Sequence, residues 1–414
     1  MKNTLHILTL TIAFLLGNLS IGYSQDFNKG LEAYNRGDYA EALQQFEQLA
    51  FKGHAEAELY LADMYYFGHG VTKDYVTSAK WGRLAAEQGN ARAQNGLGNA
   101  YYSGEGVTQD YKTAVKWYRL AAEQGNANAQ RSLGVLYSNG EGVTQDYKTA
   151  VKWYRLAAEQ GNARAQNNLG NAYYSGKGVT KDYKTAVKWY RLAAEQGNAN
   201  AQRSLGYLYY NGEGVTQDYK TAVKWYRLAA EQGHAIAQSN LGNAYDNGRG
   251  VAQDYKTAVK WYRLAAEQGN ARAQNNLGYA YYNGKGVTQD YKTAVKWYRL
   301  AAEKGNANAQ SNLGYAYENG SGVTQDYKTA VKWYRIAAEQ GNAIAQNNLG
   351  TLLYNGQGVV KDKPRALMWY ILSKSNGNDT SENIEIVSKN MTSRDISKAQ
   401  KMAQECEQKN YKGC

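Results

Sequence analysis

Apolar residues return along this chain on two alternating helical faces. Between Ala91 and Tyr102 they fall at Ala93, Leu97, Ala100 and Tyr101, spaced i, i+4, i+7, i+8, which is one face of a helix. After Asp110 they fall at Ala114, Trp117, Tyr118 and Ala121, spaced i, i+3, i+4, i+7, with Tyr111, Val115 and Ala122 widening the stripe. The polar punctuation agrees with both. Asn90 stands where a cap for the first helix, helix A, belongs, and Asp110 where a cap for the second, helix B, belongs. Gly104 ends helix A, Gly106 keeps the chain turning, and Gly125 ends helix B and opens the next unit. The pattern predicts a pair of helices joined by a short glycine-bearing turn.

This pair repeats with a period of 36 residues. Trp81, Trp117, Trp153, Trp189, Trp225, Trp261, Trp297, Trp333 and Trp369 mark it, and they are all nine tryptophans. The units start at Gly53, Gly89, Gly125, Gly161, Gly197, Gly233, Gly269, Gly305 and Gly341, and the last ends at Asn376. A fixed period of this length marks an array of small supersecondary units rather than a globular enzyme core. The tryptophans fall on the apolar face of helix B, so they are expected in the core and not as a sugar-stacking ladder. Gly98 sits in the middle of helix A, where glycine costs about 1 kcal/mol against alanine. It recurs in every later unit, which predicts a tight helix crossing; the first unit has Ala62 there.

The flanks differ from the array. Residues 1–24 read as a secretory signal: Lys2, an apolar run from Leu5 to Leu16 too short to span a bilayer, then small residues with Gly22 and Ser24 before the cleavage point. No cysteine lies there, so a lipoprotein anchor is not expected. Residues 25–52 are expected to cap the array. Residues 377–414 are expected to form a helical C-terminal cap, in which Thr392 and Asp395 resemble a capping box and Ile396, Ala399, Ala403 and Cys406 share one helical face. The two cysteines, Cys406 and Cys414, are expected to form a disulfide in an exported chain.

The net charge of +12 is built up unit by unit. It reads as a solvated outer face, or as a cationic stripe for acidic partners; nucleic acid is not expected as the partner of an exported protein. The catalytic inventory is thin. There are four histidines, of which His54 and His234 hold the cap position of their units. No HExxH, Cys-x-x-Cys or G-x-S-x-G occurs. The GxG of GEGVTQD follows no strand and is explained by turn geometry. No cofactor or metal is expected, and the chain reads as non-catalytic.

Ala93, Leu97, Gly98, Tyr101, Gly104, Gly106, Val107, Asp110, Ala114, Trp117, Tyr118, Ala121, Ala122 and Gly125 carry a family resemblance. The unit resembles the Sel-one-like repeat, a branch of the tetratricopeptide-like superhelices, over residues 53–376. Gly30, Tyr34, Gly37, Asp38, Tyr39, Ala42 and Phe46 fall where a tetratricopeptide unit puts them. The resemblance implies an all-α, right-handed superhelical solenoid of antiparallel helix pairs. It also implies an adaptor that gathers other proteins; exported bacterial members are similar to regulators of envelope sensors and scaffolds of polysaccharide export. A cysteine-rich branch is described as binding or hydrolysing β-lactams. This chain lacks the paired cysteine in each repeat that marks that branch, and the activity is not carried over.

Copies within the chain differ mainly at four positions of helix A, those of Arg92, Asn95, Gly96 and Asn99, spaced i, i+3, i+4, i+7. They are expected to form one stripe opposite the apolar face and to line the concave groove of the solenoid. Arg92, Asn99, Arg131, Arg164, Asn168, Asn171, Arg203, Tyr207, Asn240, Asn243, Arg272, Asn276, Tyr279, Asn312 and Tyr315 are the candidate contacts. Arginine grips carboxylates, asparagine both donates and accepts, and tyrosine stacks at low entropy cost. Two origins of the stripe stay open, a binding groove and neutral drift after duplication. The expected partner is a protein or peptide. The alternatives are a polysaccharide or peptidoglycan of the envelope and, last, action as a cell-wall hydrolase.

Overall fold

The computed structural model describes residues 26–414, and every regular element among them is a helix. The predicted signal lies outside the described residues. The chain divides into two compact units between Ala201 and Gln202.

In the first unit a helix over residues 26–36 and a helix Tyr39–Ala50 precede the array, closing a cluster around Ala33, Ala42, Phe46 and Leu49. Helix pairs follow: Ala55–Phe67 with Tyr75–Glu87, Ala91–Ser103 with Tyr111–Glu123, Ala127–Asn139 with Tyr147–Glu159, and Ala163–Ser175 with Tyr183–Glu195. The members of a pair run antiparallel. At one end Asp110 N–H donates to the Tyr101 carbonyl at 2.9 Å; at the other Gln124 Nε2 donates to Gln94 Oε1 at 2.8 Å. The predicted caps form. The Asn90 side chain accepts from Ala93 N–H at 3.0 Å, and Asp110 accepts from Lys112 N–H at 2.9 Å and from the Thr113 hydroxyl at 2.6 Å. Gly104 closes helix A in the left-handed conformation, φ 78°. Gly106, also at positive φ, packs against the start of helix B in the preceding repeat, and a Cβ there would collide with the Tyr75 carbonyl.

The core alternates between repeats. Ala114, Val115, Tyr118, Ala121 and Ala122 of one helix B join Ala129, Leu133 and Leu136 of the next helix A. Helix B is therefore sandwiched between its own helix A and the following one, which its wide apolar stripe requires. The tryptophans depart from expectation. Trp117 and its copies through Trp333 are half-buried, and Trp369 alone is fully buried at 2% exposure. Trp153 packs beside the cluster that its own helix A builds with the preceding helix B. Its indole covers the seam between repeats, because helix B spends its most buried positions on Ala150, Val151, Tyr154, Ala157 and Ala158.

The second unit repeats the scheme from helix Tyr219–Glu231 to helix Lys363–Ser375. Two further helices, Ser381–Ser388 and Ser393–Gln408, close its end, burying Val387, Ala399, Ala403 and Cys406. Asp395 N–H donates to the Thr392 hydroxyl at 3.2 Å, and that hydroxyl donates to the Asp395 carboxylate at 2.8 Å. Cys406 and Cys414 form a disulfide with Cα atoms 5.8 Å apart. The loop so closed brings the Tyr411 hydroxyl to Asn376 Oδ1 at 2.9 Å.

Candidate functional site

The variable positions of helix A do not form one uniformly exposed stripe. Its edges face solvent and its middle faces a neighbouring helix A, since each inner helix has a lateral neighbour as well as a partner. On the first edge Arg92, Arg164 and Arg272 are exposed, and Arg92 pairs with Asp63 at 3.5 Å. In the middle Arg131 and Arg203 are half-buried, each with its Nε lacking a partner. Asn167, Ser239 and Ser311, at the same position, are buried. Asn168, Asn240, Asn276 and Asn312 are half-buried, and Asn312 Nδ2 donates across the repeat boundary to Asn275 Oδ1 at 3.0 Å.

On the second edge the side chains split by type. Asn99 and Asn171 are exposed, yet their Oδ1 atoms accept from the Tyr118 and Tyr190 hydroxyls at 2.8 and 2.7 Å. Asn243 is half-buried. Tyr207, Tyr279 and Tyr315, all in the second unit, are 36%, 46% and 46% exposed. Arg203 lies 5.9 Å from the Tyr207 ring, and Lys285 lies 5.5 Å from that of Tyr279, which leaves a cation presented beside each of these two rings. The helix-B tyrosines are a different population. Burial pushes the Tyr154 phenol up to about 12 and raises that of Tyr118, so they are structural donors.

Two networks were invisible in the sequence pattern. A buried glutamine ladder runs through each unit. In the first, Gln94 Nε2 donates to the Ala86 carbonyl of the preceding repeat at 3.1 Å, while Gln94 Oε1 accepts from Gln124; Gln130 with Gln160 and Gln166 with Gln196 repeat the motif. In the second unit Gln238 pairs with Gln268 and Gln310 with Gln340. Lys304 stands where glutamine belongs and donates instead to the Gly269 carbonyl at 2.7 Å, so Gln274 Oε1 is buried with no partner. The second network spends part of the outer charge: Arg119 donates to the Tyr137 hydroxyl of the next repeat at 2.6 Å, and Arg155 to that of Tyr173 at 2.7 Å.

The Sel1 repeat matches residues 55–90, 91–126, 127–162, 163–198, 199–234, 235–270, 271–306, 307–342 and 343–378. The chain belongs to the Sel1 repeat family. It is similar to a solved structure of a protective antigen present in uropathogenic Escherichia coli strains and displaying an SLR fold. The two are 36% identical over 89% of this chain and 96% of that one, with a TM-score of 0.52. A Sel1 repeat protein from Oxalobacter formigenes is 37% identical over 59% of this chain and 96% of its own, with a TM-score of 0.54. A comparison with curated proteins finds no match. Sel1 repeat proteins generally act as non-catalytic scaffolds for protein interaction. Among the described residues no helix is long and apolar enough to cross a membrane, and the disulfide is compatible with export.

Proposed function

We propose that this Sel1 repeat protein is an exported, non-catalytic adaptor that holds a protein partner along the exposed edges of its helix-A faces, in the groove these faces line. Residues 25–52 and 377–414 cap the array, and the site of action is the periplasm or the cell exterior, in envelope regulation or assembly. The observation that carries the reading is the placement of Tyr207, Tyr279 and Tyr315. Three large aromatics are exposed at one position of the period, where the other repeats carry asparagine, valine, threonine or aspartate. Exposed tyrosine beside arginine is the composition in which binding energy concentrates. The apolar segment after Lys2 and the Cys406–Cys414 bridge support export.

The test replaces Tyr207, Tyr279 and Tyr315 together by alanine and captures partners from the cell envelope with each protein. Helicity and melting should stay nearly unchanged, and partner capture should fall about tenfold or more, equivalent to about 1.4 kcal/mol per tenfold. Charge reversal at Lys116, Lys152 and Lys188 on the outer face should do much less. Loss of the partner in the lysine variant and its retention in the tyrosine variant would move the working surface to helix B. Capture of glycans instead of proteins would replace the protein partner with an envelope polysaccharide.

A further inference from the structure

In eight of the nine repeats a tyrosine of helix B lies across a glycine of helix A. Gly98 with Tyr118 is the first such pair and Gly350 with Tyr370 the last, and a Cβ on any of these glycines would come within 2.6 to 3.0 Å of the ring. Repeat one changes both members at once. Ala62 takes the glycine's place and Gly82 the tyrosine's. The Ala62 methyl fills only part of the freed space, for a Cβ built at Gly82 would meet nothing within 4 Å except that methyl, at 3.7 Å. Repeat two then adds Gly96, where the copies in repeats three to nine carry serine or asparagine, and a Cβ there would meet nothing at all within 4 Å.

The result is a cavity of about 340 Å³ between helices Ala55–Phe67, Tyr75–Glu87 and Ala91–Ser103, within the ordinary range of ligand pockets. Its walls include Leu59, Ala79 and Leu97, with Tyr66, Phe67 and Tyr75 around them. Its polar lining sets the carboxylates Asp63 and Glu105 and the amide of Asn95 beside one cation, Arg92. Asp63 holds the position that Asn99 and Asn171 hold in repeats two and four, where that side chain accepts the hydroxyl of the buried tyrosine. In repeat one the acceptor is present and the ring that would donate to it is missing. Asn95 Oδ1 is also buried without a partner. Glu105 closes one side, accepting from the Tyr66 hydroxyl at 3.0 Å.

We propose that this cavity binds a tyrosine side chain of a partner polypeptide, which supplies from outside the ring that repeat one lacks. The proposal deepens the adaptor reading by naming what the partner inserts and where. An aromatic ring fits beside the Ala62 methyl, shifted from the seat of the array's own tyrosine, against walls that elsewhere pack such a ring. A phenol hydroxyl has Asp63 and Asn95 as acceptors. An anionic ligand would face Asp63 and Glu105, and the one cation of the lining, Arg92, is already paired with Asp63. A lysine or arginine side chain would find Asp63 already paired with Arg92. The volume leaves room for the backbone that carries the ring. Burial raises the Asp63 carboxyl above its ordinary value, with Arg92 and then His69 opposing, so this partly desolvated group gains from a new donor.

The test needs no knowledge of the partner, so it can fail independently of the adaptor reading. 4-Methylphenol, toluene and the capped tripeptide acetyl-Gly-Tyr-Gly-amide are titrated against the mature chain by ligand-observed NMR. The same titrations use the double variant Ala62→Gly/Gly82→Tyr, which installs the pair that eight repeats already fold with. 4-Methylphenol and the tripeptide should bind the native chain and bind the double variant at least about tenfold more weakly. Toluene should bind the native chain more weakly than 4-methylphenol, and Asp63→Ala should narrow that preference. Equal binding to both proteins would overturn the proposal, as would no binding of 4-methylphenol to the native chain up to its solubility limit. Binding of 4-methylphenol with exclusion of the tripeptide would overturn the partner side chain in favour of a free small phenol.

Discussion

Repeat one and repeat two share one spacing but close their helix pairs differently. In repeat two the Tyr118 ring lies on Gly98, and the cluster it joins extends from Ala114 to Leu136. In repeat one Ala62 faces Gly82, and the neighbouring cluster is reduced to Leu59, Ala85, Ala86, Ala93 and Leu97. The two positions behave as one unit of packing. A glycine that costs helix propensity is kept where a ring needs the space, and it is released when the ring goes. A departure at one position with no matching change at its partner should instead leave a defect, and Lys304 opposite Gln274 is such a case.

The largest effect should come from imposing the repeat-one pair on repeat two. Tyr118→Gly should destabilise the region by about 4 kcal/mol through the cavity it leaves. Gly98→Ala alone should cost about 1–3 kcal/mol by overpacking the ring. Combined, the two should cost clearly less than their sum, because the methyl enters vacated space. Urea unfolding followed by hydrogen exchange over residues 91–136 would show this, and simple additivity would break the idea of a linked pair. Exchange is needed because a repeat array need not unfold in one step.

A second contrast sets burial against position in the period. Trp369→Ala should cost about 3 kcal/mol and Trp225→Ala nearer 1.5 kcal/mol, since the first indole is fully buried and the second half-buried. Both losses of protection should stay local to the substituted repeat and its neighbours. Equal costs would mean that register, and not burial, sets the worth of each tryptophan.

Lys304→Gln should stabilise the second unit by about 1 kcal/mol, because it gives the buried Gln274 Oε1 the donor it lacks. A melting temperature unchanged or lowered would show that the lysine bond to Gly269 already compensates.

The smallest effect concerns His234, which caps its helix by accepting from Ala237 N–H at Nδ1, 3.3 Å away, where seven other repeats use asparagine. Desolvation, and then Arg203, hold its pKa below the ordinary 6.5. The unfolded chain therefore binds the proton more readily. The cap's contribution should be complete above about pH 6.5 and erode as the pH falls toward the lowered folded value. His234→Asn should flatten that slope in unfolding measurements between about pH 5 and 7.5.

The sequence by itself determined the elements and their order. The caps at Asn90 and Asp110, the tight crossing at Gly98 and the Thr392–Asp395 cap follow from local spacing, because helix periodicity and capping chemistry act within a turn or two. What a side chain meets on the lateral face of its helix is not a local property. For that reason the Gln94–Gln124 ladder, the burial of Asn167 and Ser239 in a stripe expected to be exposed, and the half-exposed tryptophans became visible only when neighbouring repeats were stacked. The cavity at Gly82 is the furthest case. Ala62 was legible in the sequence as a departure, but a void needs walls from three helices, and only tertiary packing decides whether missing atoms are replaced or leave a space.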